Sequence, residues 1–294
     1  MARRKPANTH GLAVVDKPAG VTSHDVVGML RRRFGERQVG HAGTLDPDAT
    51  GVLLVGVGRC TRLLRFLTDL GKTYSGQVVF GSTTDSLDST GVVTATFDMH
   101  GLAEQAVRSA VAEHLVGAIL QIPPMVSAVK IDGRRLHELA REGVEVERAP
   151  RPVSVYRFDI EPHRTDGVTD PLVYDIEVHC SKGTYIRTLA DDLGRLCGGG
   201  AHLRGLRRLA VGSFTAGEAA SPDDVELLTL PQAVRDYPHV TVSAEVAALV
   251  RNGRVLDRFD GDGPWALLDP GGDLLAMYEA FGDALAKPAV VVSG

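Results

Sequence analysis

Apolar residues run without interruption through Gly11–Val15 and stop at the turn Asp16-Lys17-Pro18-Ala19-Gly20, the pattern of a buried strand entering a turn. Val26, Val27, Leu30 and Phe34 then recur at helical spacing, so a helix is expected there, capped by Ser23 and ended by Gly35. Residues 38–51 (QVGHAGTLDPDATG) have neither periodicity and carry three glycines and a proline. They read as an ordered loop before the apolar strand Val52–Val57, and such loops commonly hold site residues. Leu63, Leu64, Phe66, Leu67 and Leu70 predict a helix stopped by Gly71. Tyr74, Gly76, Val78 and Phe80 share a face of a strand over Thr73–Phe80.

Further on, residues 102–121 read as helical. From Pro123 the chain turns basic and hairpin-like around Asp132-Gly133, with a short helix carrying Leu136, Leu139 and Ala140 after it. Leu172, Tyr174, Ile176 and Val178 alternate with Asp175, Glu177 and His179, which predicts a half-buried antiparallel strand ending at Cys180. A helix is expected from near Ile186 and another from Ser221-Pro222. Beyond about residue 235 short strands are punctuated by Asp262-Gly263-Pro264 and Pro270-Gly271-Gly272, and Ser243 can cap a helix over Glu245–Val250 ended by Asn252-Gly253. The expected class is α+β. A main domain over residues 1–234, built on a largely antiparallel mixed sheet, precedes a small β-rich domain over 235–294, because single cores tend to split beyond about 250 residues.

Composition narrows the picture. Cys60, Cys180 and Cys197 are odd in number and never form a C-x-x-C pair, so neither a disulfide framework nor a zinc ribbon is indicated. The basic start MARRKPANTH leads to no apolar core of signal length, and no apolar run is long enough to span a bilayer. The expectation is a soluble cytoplasmic protein. Its net charge of −5 conceals an asymmetry: residues 1–72 hold 12 Lys/Arg against 6 Asp/Glu, whereas residues 216–294 hold 5 against 13. Of 32 basic residues 26 are arginine, which suits forked contacts to phosphate.

The segment His41-Ala42-Gly43-Thr44-Leu45-Asp46-Pro47-Asp48-Ala49-Thr50-Gly51-Val52-Leu53 carries the candidate chemistry. It resembles the catalytic motif of the TruB family, the tRNA pseudouridine-55 synthases. Four more blocks follow that family's order: Asp16-Lys17-Pro18 with Gly20, Lys72-Thr73-Tyr74, Gly183-Thr184-Tyr185-Ile186-Arg187 and Leu206-Arg207-Arg208-Leu209. The similarity spans roughly residues 11–215. Pseudouridine formation breaks a C1′–N1 bond and remakes it through C5 of the same uracil, so no metal, redox partner or other cofactor is required. One carboxylate, Asp46, can serve as a nucleophile, or can stabilise or deprotonate a sugar-derived intermediate; both routes are open.

The resemblance implies roles for other residues. It sets Arg187 against the catalytic Asp, where a guanidinium favours the ionised carboxylate. A base in a folded T loop must be extruded to react, and Tyr74 resembles the stacking tyrosine, with a phenol able to act as acid or base. His41 resembles the residue that helps hold the extruded nucleotide, while Tyr185 and Leu206 line the base pocket. Lys17 and Pro18 shape its floor. Pro123–Pro152, with Lys130, Arg134, Arg135, Arg141 and Arg148, resembles the insertion that clamps the T arm of tRNA through phosphate contacts. The tail stands where relatives carry a PUA domain, but 5 Lys/Arg against 9 Asp/Glu over residues 235–294 give it a field that repels RNA. The chain is expected to act as a monomer, without a protein partner or a membrane.

Two other functions fit fragments of the sequence. Asp46-Pro47-Asp48-Ala49-Thr50 also matches the D-x-D-x-T pattern of Asp-nucleophile phosphatases, but that motif should follow a buried apolar strand rather than His41-Ala42-Gly43-Thr44. A non-catalytic tRNA-folding helper would need the basic and aromatic residues but not Asp46.

Overall fold

The computed structural model describes residues 9–125, 130–131, 134–135, 142, 144 and 146–292. They divide into two compact units, Met1–Leu70 with Ala210–Gly294, and Gly71–Leu209.

In the first unit the strand Gly11–Lys17 pairs antiparallel with Thr50–Val57, from Gly11 opposite Val57 to Lys17 opposite Gly51, and on its other side with Leu227–Leu228. Both of its faces are covered. Leu12 and Val14 enter a cluster with Leu63, Phe66 and Leu67, whereas Ala13 and Val15 meet Val26, Val27 and Leu30 of the helix Ser23–Phe34. Burial on both sides is why its apolar run is continuous instead of alternating. Gly35 ends the helix in the left-handed region at φ 62°.

The C-terminal part forms a five-stranded sheet ordered His239–Thr241, Trp265–Leu268, Leu274–Phe281, Leu285–Val291 and Leu256–Asp257. Trp265 and Tyr278 are fully buried in it, and each polar tip reaches a carbonyl, Asp260 for the indole N–H and Arg254 for the phenol, both at 2.7 Å. Ala266, Leu274, Met277 and Val292 complete the same cluster as Leu12 and Val14. Polar ties reinforce this contact: Arg62 donates to the Val291 carbonyl at 2.9 Å, Arg65 pairs with Glu279, and Tyr237 donates to the Phe66 carbonyl at 2.8 Å.

The second unit orders its strands Gly117–Gln121, Arg151–Thr165, Val168–Cys180, Lys72–Phe80 and Ala201–Val211. Phe158, Ile160, Tyr174, Ile176 and Val178 pack there against Ile186, Leu189 and Leu193 of the helix Ile186–Leu196. The structure therefore has the expected α+β class, with a β-rich C-terminal part. Among the described residues no helix is long and apolar enough to cross a membrane.

Several local expectations are corrected. Thr22, not Ser23, caps the first helix, through a reciprocal box in which Thr22 Oγ accepts from Asp25 N at 3.0 Å and Thr22 N donates to Asp25 Oδ2 at 2.9 Å. The expected loop 38–51 is shorter, because Val39–Ala42 is a strand paired with Thr50–Val57. The helix expected over 102–121 stops early: Glu104–Ala110 is α-helical, Val111–Leu115 is one π-helical stretch, and Gly117–Gln121 is a strand on Arg151–Val155. Gly117, at φ 92°, makes the break. Ser221-Pro222 opens only a turn, and the neighbouring helix is Leu230–Ala233, capped by Thr229. Ser243 does cap a helix, Ala244–Arg251.

Candidate active site

Asp46 lies half-buried in the loop between the strands Val39–Ala42 and Thr50–Val57, in the first unit. Leu45 before it is 3% exposed and Ala49 after it 4%, so apolar side chains root the loop on both sides of the carboxylate. Ala49 N donates to the Asp46 carbonyl at 3.1 Å, closing a tight turn.

Two polar ties fix the residues flanking Asp46. Ser23 is buried, and its hydroxyl accepts from Leu45 N at 2.9 Å and donates to the Leu45 carbonyl at 3.1 Å. The Pro47 carbonyl accepts from Lys17 Nζ at 2.8 Å and from Gly20 N at 3.0 Å. Lys17 is fully buried, and Nζ also donates to the carbonyls of Pro18 at 2.9 Å and Val21 at 2.7 Å. An ammonium removed from water is costly unless its donors are satisfied, and three carbonyls meet three donors. Lys17 therefore holds the Asp46 loop to the Pro18–Val21 turn. Pro18 itself is exposed and contributes its carbonyl. His41 stands partly buried on the strand leading into the loop.

The second unit holds Arg187, Tyr74, Tyr185 and Leu206. Arg187 is 4% exposed in the first turn of the helix Ile186–Leu196. Its Nη1 donates to the Ser86 carbonyl at 2.7 Å, and its Nε lies 3.8 Å from Asp88 Oδ2. The other oxygen of Asp88 accepts from Ser86 Oγ at 2.7 Å, Thr90 N at 3.0 Å and Thr90 Oγ at 2.6 Å. A buried guanidinium needs such a counter-charge, and Asp88 is aimed at it by its own turn. That turn is itself fixed by backbone bonds from Ser89 N to the Leu203 carbonyl at 2.8 Å and from Leu203 N to the Leu87 carbonyl at 3.0 Å.

Tyr74 is half-buried and packs, with Leu206, on the apolar cluster that contains Ile186 and Leu189. The Arg208 guanidinium, 1% exposed, lies 6.0 Å from the Tyr74 ring centroid, within reach of a cation–π contact. Tyr185 precedes the helix of Arg187. Lys130 and Arg134 sit on short paired strands, Lys130–Ile131 and Arg134–Arg135. The side chains of Lys130, Arg134 and Arg135, and all of Asp132, Gly133, Leu136, Leu139, Ala140 and Arg141, lie outside the described residues. Arg148 donates to the Pro123 carbonyl at 3.0 Å.

Sequence reasoning passed over Asp88, and named Arg208 only within the block Leu206-Arg207-Arg208-Leu209 without giving it a role. Asp85-Ser86-Leu87-Asp88-Ser89-Thr90-Gly91 carries an ordinary turn signal, and nothing local marks its second aspartate as the partner of a residue on a distant helix. Among the described residues no group of three or more His, Cys, Asp or Glu is placed to hold a metal ion.

Comparison with known proteins covers nearly the whole chain. Residues 31–186 match the family model "TruB family pseudouridylate synthase (N terminal domain)", residues 187–237 "tRNA pseudouridylate synthase B C-terminal domain", and residues 237–293 "tRNA Pseudouridine synthase II, C terminal". The tRNA pseudouridine synthase B of Rhodococcus jostii (strain RHA1) is 44% identical over 300 residues, covering 99% of this chain and 97% of its own. That of Corynebacterium glutamicum (strain R) is 45% identical over 287 residues, 96% of each chain. A chain in the crystal structure of a Cbf5-Nop10-Gar1 complex shares the fold at TM-score 0.72 and 22% identity, over 96% of this chain and 85% of that one. One in an archaeal box H/ACA sRNP Nop10-Cbf5 complex does so at TM-score 0.69 and 22% identity, over 99% and 89%.

Proposed function

Because the chain belongs to the TruB family, we propose that the uridine it isomerises is position 55 in the T loop and that Asp46 is the carboxylate on which the reaction turns. Its activity is pseudouridine synthesis on tRNA, an isomerisation. The observation that carries the finer reading is the Asp46 loop, where Ser23 and Lys17 bind the residues on either side of the carboxylate. A group held this firmly pays little reorganisation at the moment of reaction.

The steps follow from the chemistry. The target base leaves the T-loop stack at a cost of a few kcal/mol, and Tyr74 gives the extruded ring a face to stack on. With the Asp46 carboxylate acting at the sugar, the C1′–N1 bond breaks, the uracil turns, and C5 bonds to C1′. The hydrogen on C5 then passes to solvent, and N1 finishes protonated. Arg187 serves as counter-ion to the carboxylate and is itself oriented by Asp88 and the Ser86 carbonyl. His41, Tyr185 and Leu206 hold the flipped nucleotide. The basic residues of the 123–152 insertion take the backbone phosphates, in a working division of residues 1–234 for catalysis and 235–294 as a β-rich part that completes the core of the first unit. The protein works in the cytoplasm as a monomer.

Tritium release from tRNA labelled at uridine C5 tests the reading. The parent protein should release label from a T-arm RNA carrying uridine 55 and none from the same RNA with cytidine there. Asp46→Asn should abolish release while tRNA binding stays within a few-fold. Turnover by a sequence-verified Asp46→Asn protein would remove Asp46 from the mechanism, and a helper that folds tRNA without chemistry would leave the parent itself silent.

A further inference from the structure

Gln121 is 1% exposed, the last residue of the strand Gly117–Gln121, and opposite Arg151. The chain leaves the sheet after Gln121 and re-enters it at Arg151, so this pair is the root of the basic insertion. The Gln121 side chain faces the backbone of Tyr185. Its Oε1 accepts from Tyr185 N at 2.9 Å, and its Nε2 donates to the Tyr185 carbonyl at 3.2 Å.

That pairing imitates one rung of a sheet with a side-chain amide. It lies at a helix start: Tyr185 precedes the helix Ile186–Leu196 without a side-chain cap, and its carbonyl also accepts from Leu189 N at 3.2 Å. The segment is held a second time from the strand that leaves the insertion, because Ser181 N donates to the Ser154 carbonyl at 2.8 Å and Ser154 N donates to Ser181 Oγ at 2.9 Å. Both strands framing the insertion thus grip the stretch 181–185, and Arg187 follows two residues later. A glutamine amide accepts and donates here at once at any pH, whereas a glutamate of the same length does so only when protonated.

We propose that Gln121 is a positioning residue for the reaction, fixing the Tyr185 backbone and through it the placement of Arg187 against the root of the RNA-clamping insertion. This rests on the roles proposed above for Tyr185 and Arg187. Gln121 touches no reacting atom. Its contribution falls on the chemical step and not on RNA affinity, since the insertion's phosphate contacts remain when the amide is lost.

Gln121→Leu and Gln121→Glu test this in the full-length protein with labelled tRNA, measuring single-turnover rate, tRNA Kd and melting temperature, with Arg187→Lys in parallel. Gln121→Leu keeps bulk but can neither accept nor donate, and its rate should fall about thirtyfold while Kd stays within about threefold, as expected for an interaction felt only at the barrier. Gln121→Glu can accept from Tyr185 N but donates to the carbonyl only when protonated, and burial raises a carboxyl's pKa. Its rate relative to the parent should therefore climb at least about threefold from pH 8 to pH 6. If Gln121→Leu does not fold, that pH ratio decides the matter, and a flat ratio rejects the proposal. A rate within threefold of the parent in folded Gln121→Leu, or a loss of Kd as large as the loss of rate, also rejects it. A slow Arg187→Lys beside a normal Gln121→Leu overturns the inference alone, whereas a normal Arg187→Lys removes the reading on which it rests.

Discussion

Lys17→Met offers the sharpest check on how the Asp46 loop is held. Methionine keeps an unbranched stem in a fully buried position but deletes the donors to Pro18, Val21 and Pro47. Hydrogen bonds from a charged group are worth about 1.5–3 kcal/mol each, so the gross loss is roughly 4–9 kcal/mol. Two effects offset it. The variant no longer carries the penalty of several kcal/mol for burying an ion, and Pro47 keeps its bond from Gly20 N. A net destabilisation of about 2–4 kcal/mol remains, which lowers the melting temperature by roughly 5–12 °C for a protein of this size. Slack at Pro47 is slack one residue from the carboxylate, and a misplacement near 1 Å costs up to about 100-fold in rate. The expected single-turnover tritium release is therefore about 10–100-fold slower, with tRNA affinity nearly unchanged. A Lys17→Met protein with parental melting and parental rate would refute the tie. Parental melting with an abolished rate would refute it differently, by making the ammonium a reactant.

Arg187→Lys should slow the reaction at least about tenfold, because an ammonium cannot serve the Ser86 carbonyl and Asp88 in the forked geometry of a guanidinium; Asp88→Asn should show a smaller loss in the same rate assay, having kept the turn but lost the charge. Tyr74→Phe should be slow at near-parental affinity if the phenol moves a proton, whereas Tyr74→Leu should also lose about 1–3 kcal/mol of stacking in tRNA binding. The carboxyl of Asp192 is raised above its ordinary range by burial and by neighbouring Asp191, against the pull of Arg195. A carboxyl raised by folding costs no stability below its unfolded pKa, and the cost grows from there until pH passes the folded pKa, so Asp192→Asn should raise the melting temperature by about 1–3 °C at pH 8 and by nothing near pH 3. Truncation at residue 234 should unfold the first unit as seen by circular dichroism, because Ala266, Leu274, Met277 and Val292 complete its core; the RNA role of the tail is better read by charge reversal at Arg251, Arg254 and Arg258, which should change tRNA affinity by less than about tenfold.

Much of the architecture is written locally. The uninterrupted apolar run at Gly11–Val15 announces a strand covered on both faces, the alternation at Leu172–Cys180 one buried on a single face, and Gly35 a left-handed helix end. The motif around Asp46 is legible as a family signature because it is one contiguous segment. Tertiary structure decided what local pattern leaves degenerate. Two neighbouring hydroxyls could each cap the first helix, and Thr22 does so because Ser23 is taken by Leu45, 22 residues away. Helical spacing over 102–121 gives way at Gly117–Gln121 because Arg151–Val155 supplies a strand to pair with. The partners that hold the proposed site are equally remote: Lys17 and Pro47 lie 30 residues apart, Gln121 and Tyr185 64, Ser86 and Arg187 101. Periodicity records which face of an element is buried, but the choice of a polar partner belongs to the fold, since any exposed or buried Asp, Gln or Lys looks alike until a distant backbone arrives within 3 Å of it.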